Sequence, residues 1–131
     1  YKRQRLPSPA GPAGEGKRPL FVLLDGTWSE ARKMFRKSPY LDGLPVLGLQ
    51  SEQASRYRLR RSAQDHHFCT AEVAAMCLAL AGDEQGADTL DAWFDVFSDH
   101  YLAMRAQKPV DRESVTHQRL LAVQDRAGSG G

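Results

Sequence analysis

Residues 20–37 read LFVLLDGTWSEARKMFRK, and this stretch constrains the fold more than any other. Leu20–Leu24 is wholly apolar and bounded by Pro19 and Gly26, the pattern of a buried parallel strand. Asp25 stands where such a strand would end, and Gly26 lets the backbone turn sharply. Thr27 and Glu30 have the spacing of a capping box, which predicts a helix starting at about Trp28. A strand, a carboxylate at its end, a tight turn and a capped helix start together form the usual ligand crevice of an open α/β sheet. Singly, Asp25 reads as a turn residue and Trp28 as core filler. The run Asp25-Gly26-Thr27-Trp28 taken whole favours a binding role, with Trp28 placed to cover a ligand.

Further along, the helix to about Lys37 is two-sided. Ala31, Met34 and Phe35 share one face, and Arg32, Lys33, Arg36 and Lys37 make two i,i+4 rows on the other. Like charges at that spacing repel, so these cations call for an anionic partner. Pro39 ends the helix. Residues 44–49 (LPVLGL) form a second apolar run, read as a second buried strand with Pro45 at its start. Gly48 in it either admits a ligand to the backbone or marks a bulge.

In SRYRLRR (55–61) the period-2 alternation places Arg56, Arg58 and Arg60 on one face of a short strand. The planar fork of arginine suits phosphate, so this face reads as an RNA or phosphate contact. Thr70 is an N-cap candidate for the nearly all-apolar helix that Gly82 stops. Its helix start offers free N–H groups to a carboxylate or ribose. A helix apolar on nearly all sides is expected to be buried. A third helix is expected from Asp88 to about Arg105. Its core stripe would be Leu90, Phe94, Phe97 and Tyr101, with Trp93 beside it and Asp91, Asp95 and Asp99 outside. After Pro109 the chain is polar apart from Leu120, Leu121 and Val123, leaving a marginal helix and a disordered tail both open.

The net charge of +2 conceals a segregation. Residues 1–64 carry 13 Lys/Arg against 5 Asp/Glu, and residues 65–131 carry 5 against 11. One basic face able to meet phosphates is the expectation. No apolar run approaches the roughly 18 residues that span a membrane, so no membrane partner is expected. Cys69 and Cys77 fit neither a zinc knuckle nor a disulfide frame, and His66 and His67 have no second ligand cluster. A reduced, cytoplasmic setting without a metal follows as an expectation. The chain begins at Tyr1 and reaches its first apolar run only at Leu20, which predicts that an N-terminal part of the domain is missing.

The blocks DGTW-SEARKMF, SPYL, LPVLGL, SRYRLRRS and CTAEVA, in that order, resemble the DTW-domain proteins, bacterial tRNA-uridine aminocarboxypropyltransferases. The Asp-x-Thr-Trp signature is intact at Asp25, Thr27 and Trp28; the family's N-terminal cysteine cluster has no counterpart. The resemblance implies a SPOUT-like α/β fold, a mostly parallel sheet flanked by helices with a C-terminal trefoil knot. It divides the chain into a flexible basic lead-in (1–18), a catalytic domain (19–106) and a polar tail (107–131).

It also implies transfer of the 3-amino-3-carboxypropyl group of S-adenosylmethionine to N3 of a tRNA uridine. Asp25, Thr27 and Trp28 would then be catalytic. Trp28, Leu47, Gly48, Leu49, Cys69 and Thr70 would hold the S-adenosylmethionine, and Arg32, Arg36, Arg56, Arg58 and Arg60 the tRNA. A homodimer is implied in the same way. Two other readings remain open from sequence: a methyltransferase using the same donor, and a non-catalytic RNA-binding module.

Overall fold

The computed structural model describes residues 19–48 and 69–130, apart from the side chain of Trp28. The chain divides into two compact units, Tyr1–Thr70 and Ala71–Gly131.

In the first unit, helix α1 (Trp28–Arg36) starts where the Thr27–Glu30 spacing predicts, and both halves of the capping box are formed. Its faces divide as the periodicity requires. Ala31, Met34 and Phe35 are half-buried, while Arg32, Lys33, Arg36 and Lys37 are exposed. Pro39 cannot continue the helix; Pro39–Leu41 form a single 3-10 turn that packs on α1 and buries Leu41.

The parallel-sheet expectation is overturned. Among the described residues there is no strand, and every regular element is helical. Residues 20–24 and 45–48 carry no strand pairing. They are also not buried as a central strand must be: Leu20 is 89% exposed, Val22 54% and Val46 56%. The reason is physical. A strand is completed by the hydrogen bonds of a neighbour, and a short apolar run carries no information about whether that neighbour exists. The SPOUT-like sheet and its trefoil knot therefore do not describe this structure, whose described C-terminal part is a helical hairpin. The strand expected at 55–61 lies outside the described residues.

Helix α2 (Thr70–Leu80) begins at the last residue of the first unit and buries Ala75, Met76 and Cys77, together with Glu72. It ends in a Schellman motif: Gly82, at φ +89°, donates to Ala79 O, and Asp83 donates to Leu78 O, both at 3.0 Å. The next helix follows at once. Helix α3 (Glu84–Arg105) starts four residues before the expected Asp88, because Asp83 caps it by accepting from the Gly86 N–H at 2.8 Å. A Cβ on residue 86 would collide with that carboxylate, so glycine makes room for the cap.

Helix α4 (Val115–Gly128) packs antiparallel on α3 over a core of Ala92, Val96, Leu120 and Val123. Gln85 reaches Val123 O at one end of the pair, and Thr116 donates to Asp99 at the other. The face that α3 turns to α4 is not the aromatic one predicted. Trp93, Phe97 and Tyr101 stay 50%, 64% and 47% exposed, with Phe97 and Tyr101 stacked and Arg105 over the Tyr101 ring. The acidic row expected outside faces inward instead. Arg119 of α4 donates to Asp91 and Asp95, each at 2.9 Å, and Asp91 is buried. Small Ala92 in the shared core lets the helices approach, and one guanidinium fork serves two carboxylates.

A chain of side chains closes the other end of the hairpin, and its protons are fixed by elimination. The Asp99 carboxylate only accepts, so the Thr116 proton goes to it. Ser114 must then donate to Thr116 (2.9 Å), and must accept from Nδ1–H of His117 (2.8 Å). In the neutral ring, His117 Nε2 is then the acceptor for the Nε2–H of His100, 3.0 Å away. No described helix is long and apolar enough to cross a membrane.

Candidate active site around Asp25

The candidate site belongs to the first unit and is built where extended chain gives way to α1. Thr27 is extended, at φ −62° and ψ 162°, as a helix-capping residue must be. Its backbone N–H and its hydroxyl both donate to Glu30 Oε2 at 2.8 Å, and its hydroxyl oxygen accepts the Glu30 N–H at 3.3 Å. The backbone donor first, and the hydroxyl second, hold the Glu30 carboxyl below its ordinary value of 4.5. The Thr27 hydroxyl is thus committed to Glu30. Gly26 sits against the same turn: a Cβ there would come to 3.1 Å of both Glu30 Cβ and Met34 Cε. Its φ is not in the left-handed region, which among the described glycines only Gly82 occupies. Close approach, and not a special backbone angle, is what glycine supplies at 26.

Asp25 is exposed, and its Oδ1 accepts a 2.5 Å hydrogen bond from the Thr70 hydroxyl. The structure therefore joins two expected site residues that lie 45 positions apart. Sequence reasoning named both but not the pairing, for which no local spacing gives a signal. Among the described residues Oδ2 of Asp25 accepts no hydrogen bond. A carboxylate tied by one oxygen and open at the other can take up a proton or hold a cation.

The remaining expected residues divide as follows. Trp28 opens α1, its side chain lying outside the described residues. Leu47 is half-buried; Gly48 is exposed, and apart from its chain neighbours none of the described residues lies within 4 Å of where its Cβ would stand. Cys69, half-buried, precedes Thr70, while burial pushes the Cys77 thiol up and away from thiolate chemistry. Arg32 and Arg36 are exposed on α1. Leu49, Arg56, Arg58 and Arg60 lie outside the described residues.

An exposed, anchored carboxylate beside a capped helix defines a candidate site for a cationic or proton-donating ligand. The sequence model of the DTW domain family matches residues 2–102, which include all of it. The chain belongs to the DTW domain family. Over 59 residues it is 37% identical to tRNA-uridine aminocarboxypropyltransferase 2 of Drosophila melanogaster, a match covering 45% of this chain. The match spans 24% of that relative, about a quarter of its length. No solved structure matches the chain.

Proposed function

We propose that this chain carries the catalytic Asp-x-Thr-Trp segment of a tRNA-uridine aminocarboxypropyltransferase, acting in the cytoplasm. The donor is S-adenosylmethionine and the acceptor is N3 of a uridine in tRNA. The observation that carries this reading is the family match over residues 2–102, which contains Asp25, Thr27 and Trp28. The name of the Drosophila relative supports it.

The chemistry asks little of the protein beyond placement. The donor sulfonium is already activated, so the enzyme aligns the reacting carbon with N3 and manages one proton. The N3–C bond forms as the C–S bond breaks, the electron pair goes to sulfur, and methylthioadenosine leaves. The N3 proton passes to a base, and Asp25 is the residue assigned that role. Its exposed carboxylate suits both a proton and the positive charges of the donor. The backbone at Leu47–Leu49 and at Cys69–Thr70 is assigned the adenosine part, and Trp28 is assigned stacking on donor or base. Arg32, Arg36, Arg56, Arg58 and Arg60 are assigned tRNA phosphates, contacts that position RNA without reading its sequence.

The test is incubation with tRNA and S-adenosylmethionine followed by nucleoside mass spectrometry. Growth of an aminocarboxypropyl-uridine peak with release of methylthioadenosine is expected. Asp25→Asn should lower the rate by about 10²–10⁴-fold, the usual contribution of a general base, while tRNA binding persists. A methylated nucleoside with S-adenosylhomocysteine would overturn the reaction class. Full activity in Asp25→Asn would remove Asp25 from the role.

A further inference from the structure

We infer that Thr70 is a positioning residue for the Asp25 carboxylate, fixing which oxygen faces the substrate. The inference rests on the proposed role of Asp25 and adds a second, sequence-distant residue to the proton transfer. A threonine hydroxyl has one proton, and that of Thr70 is given to Asp25 Oδ1 at 2.5 Å. The bond does not exist to satisfy a buried group, since both residues are exposed and water would serve either of them. Its consequence is orientation. An aspartate turns about two torsions, the second of them broad; tying Oδ1 to Thr70 restrains both and leaves Oδ2 as the free oxygen.

The segment that carries Asp25 makes its end of the tether stiff. Asp25 is two residues before the Thr27 cap, whose hydroxyl and N–H are both locked to Glu30. Gly26 between them leaves a side chain little room beside Glu30 and Met34. A base set in such a turn and tied at Oδ1 loses little orientation freedom when substrate arrives. In the reaction the N3 proton moves to Asp25 Oδ2 while N3 bonds to the aminocarboxypropyl carbon and the pair from the broken C–S bond stays on methylthioadenosine. The Thr70 hydroxyl keeps its proton throughout and gains no bond to substrate.

Three variants and two readouts test this. Thr70→Val keeps the shape and removes the hydroxyl. With tRNA and S-adenosylmethionine saturating, it should lower kcat about 10–100-fold, the scale of a misplaced reacting group, with both KM values changed less than about threefold. Thr70→Ser restores the hydroxyl and should recover most of the kcat that Thr70→Val loses. Thr70→Val added to Asp25→Asn should cost nothing further, since the tether has no base left to orient. The second readout is the side-chain carboxyl ¹³C resonance of Asp25, which should move in Thr70→Val and hold in Thr70→Ser. Normal kcat in Thr70→Val, equal losses in the Ser and Val variants, a further loss in the double variant, or an unmoved Asp25 resonance would each overturn the inference. A chain that makes no aminocarboxypropyl-uridine defeats the functional reading instead, and the carboxyl resonance then still decides whether Thr70 holds Asp25.

Discussion

At the scale of single residues, the Thr27–Glu30 capping box makes a prediction that separates charge from shape. Two donors of Thr27 converge on one oxygen of Glu30 and favour its ionised form, so the carboxyl titrates below its ordinary 4.5 in the folded chain. A folded value lower than the unfolded one adds stability above the unfolded value, and that stability is lost as the pH falls through the folded value. Glu30→Gln preserves an acceptor of the same shape without the charge. Denaturant unfolding should therefore find Glu30→Gln less stable than the starting chain at about pH 7, with the gap closing as the pH falls through the folded value of Glu30. A gap of the same size throughout would show that the cap acts through shape alone. This residue pair was legible in the sequence because its partners are three positions apart. Asp25 and Thr70 were each singled out from the sequence, but their bond spans 45 positions and no periodicity records it.

Element ends set the next prediction, because α2 and α3 finish with the same hydrogen-bonding pattern and different residues. At the end of α2, Gly82 takes φ +89° at no steric cost; at the end of α3, Gln107 takes φ +53°. Around Gln107 the bonds repeat the Schellman arrangement, Gln107 to Met104 O at 3.1 Å and Lys108 to Ala103 O at 2.9 Å. A side chain in the left-handed region costs about 1–2 kcal/mol. Gly82→Ala should lose about that much, since open space surrounds the site and only the backbone angle objects. Gln107→Gly should gain somewhat less, about 0.5–1 kcal/mol, because glycine also loosens the unfolded chain. Opposite signs in denaturant unfolding confirm the pairing; a stabilised Gly82→Ala would refute it. The start of α1 and the stop of α2 at Gly82 were readable from caps and stops; the Asp83 cap of α3, the helix at 115–128, the strands and the buried face of α3 were not. Residues 20–24 have the composition of a buried strand, yet pairing is decided elsewhere in the chain. The row Asp91, Asp95 and Asp99 reads as a solvated face until Arg119 and Thr116, on the next helix, turn it into an interface.

The whole molecule is electrostatically divided, and this division, unlike the sheet, can be read directly from the sequence. Residues 1–64 carry a net +8 and residues 65–131 a net −6. Part of the acidic half is internally answered: Arg119 faces Asp91 and Asp95, and Asp99 accepts a hydrogen bond from the Thr116 hydroxyl. In the basic half, Lys33, Arg36 and Lys37 stand exposed along α1 in the same unit as Asp25. If tRNA is the acceptor, these cations replace counterions on its phosphates, and binding must weaken as salt rises. Neutralising Lys33 and Arg36 together (Lys33→Gln with Arg36→Gln) should flatten the plot of log affinity against log salt by about 1–2 units, at roughly 0.7–0.9 for each phosphate no longer neutralised. The weakening should be similar for tRNAs of different sequence, because phosphate contacts carry no base information. Asp125→Asn, an exposed acid on α4, is the control and should leave the slope alone. An unchanged slope in the double variant would move the tRNA contact off α1. A weakening confined to one tRNA would mean that α1 reads bases, and the charge division would then not be what draws RNA to this chain.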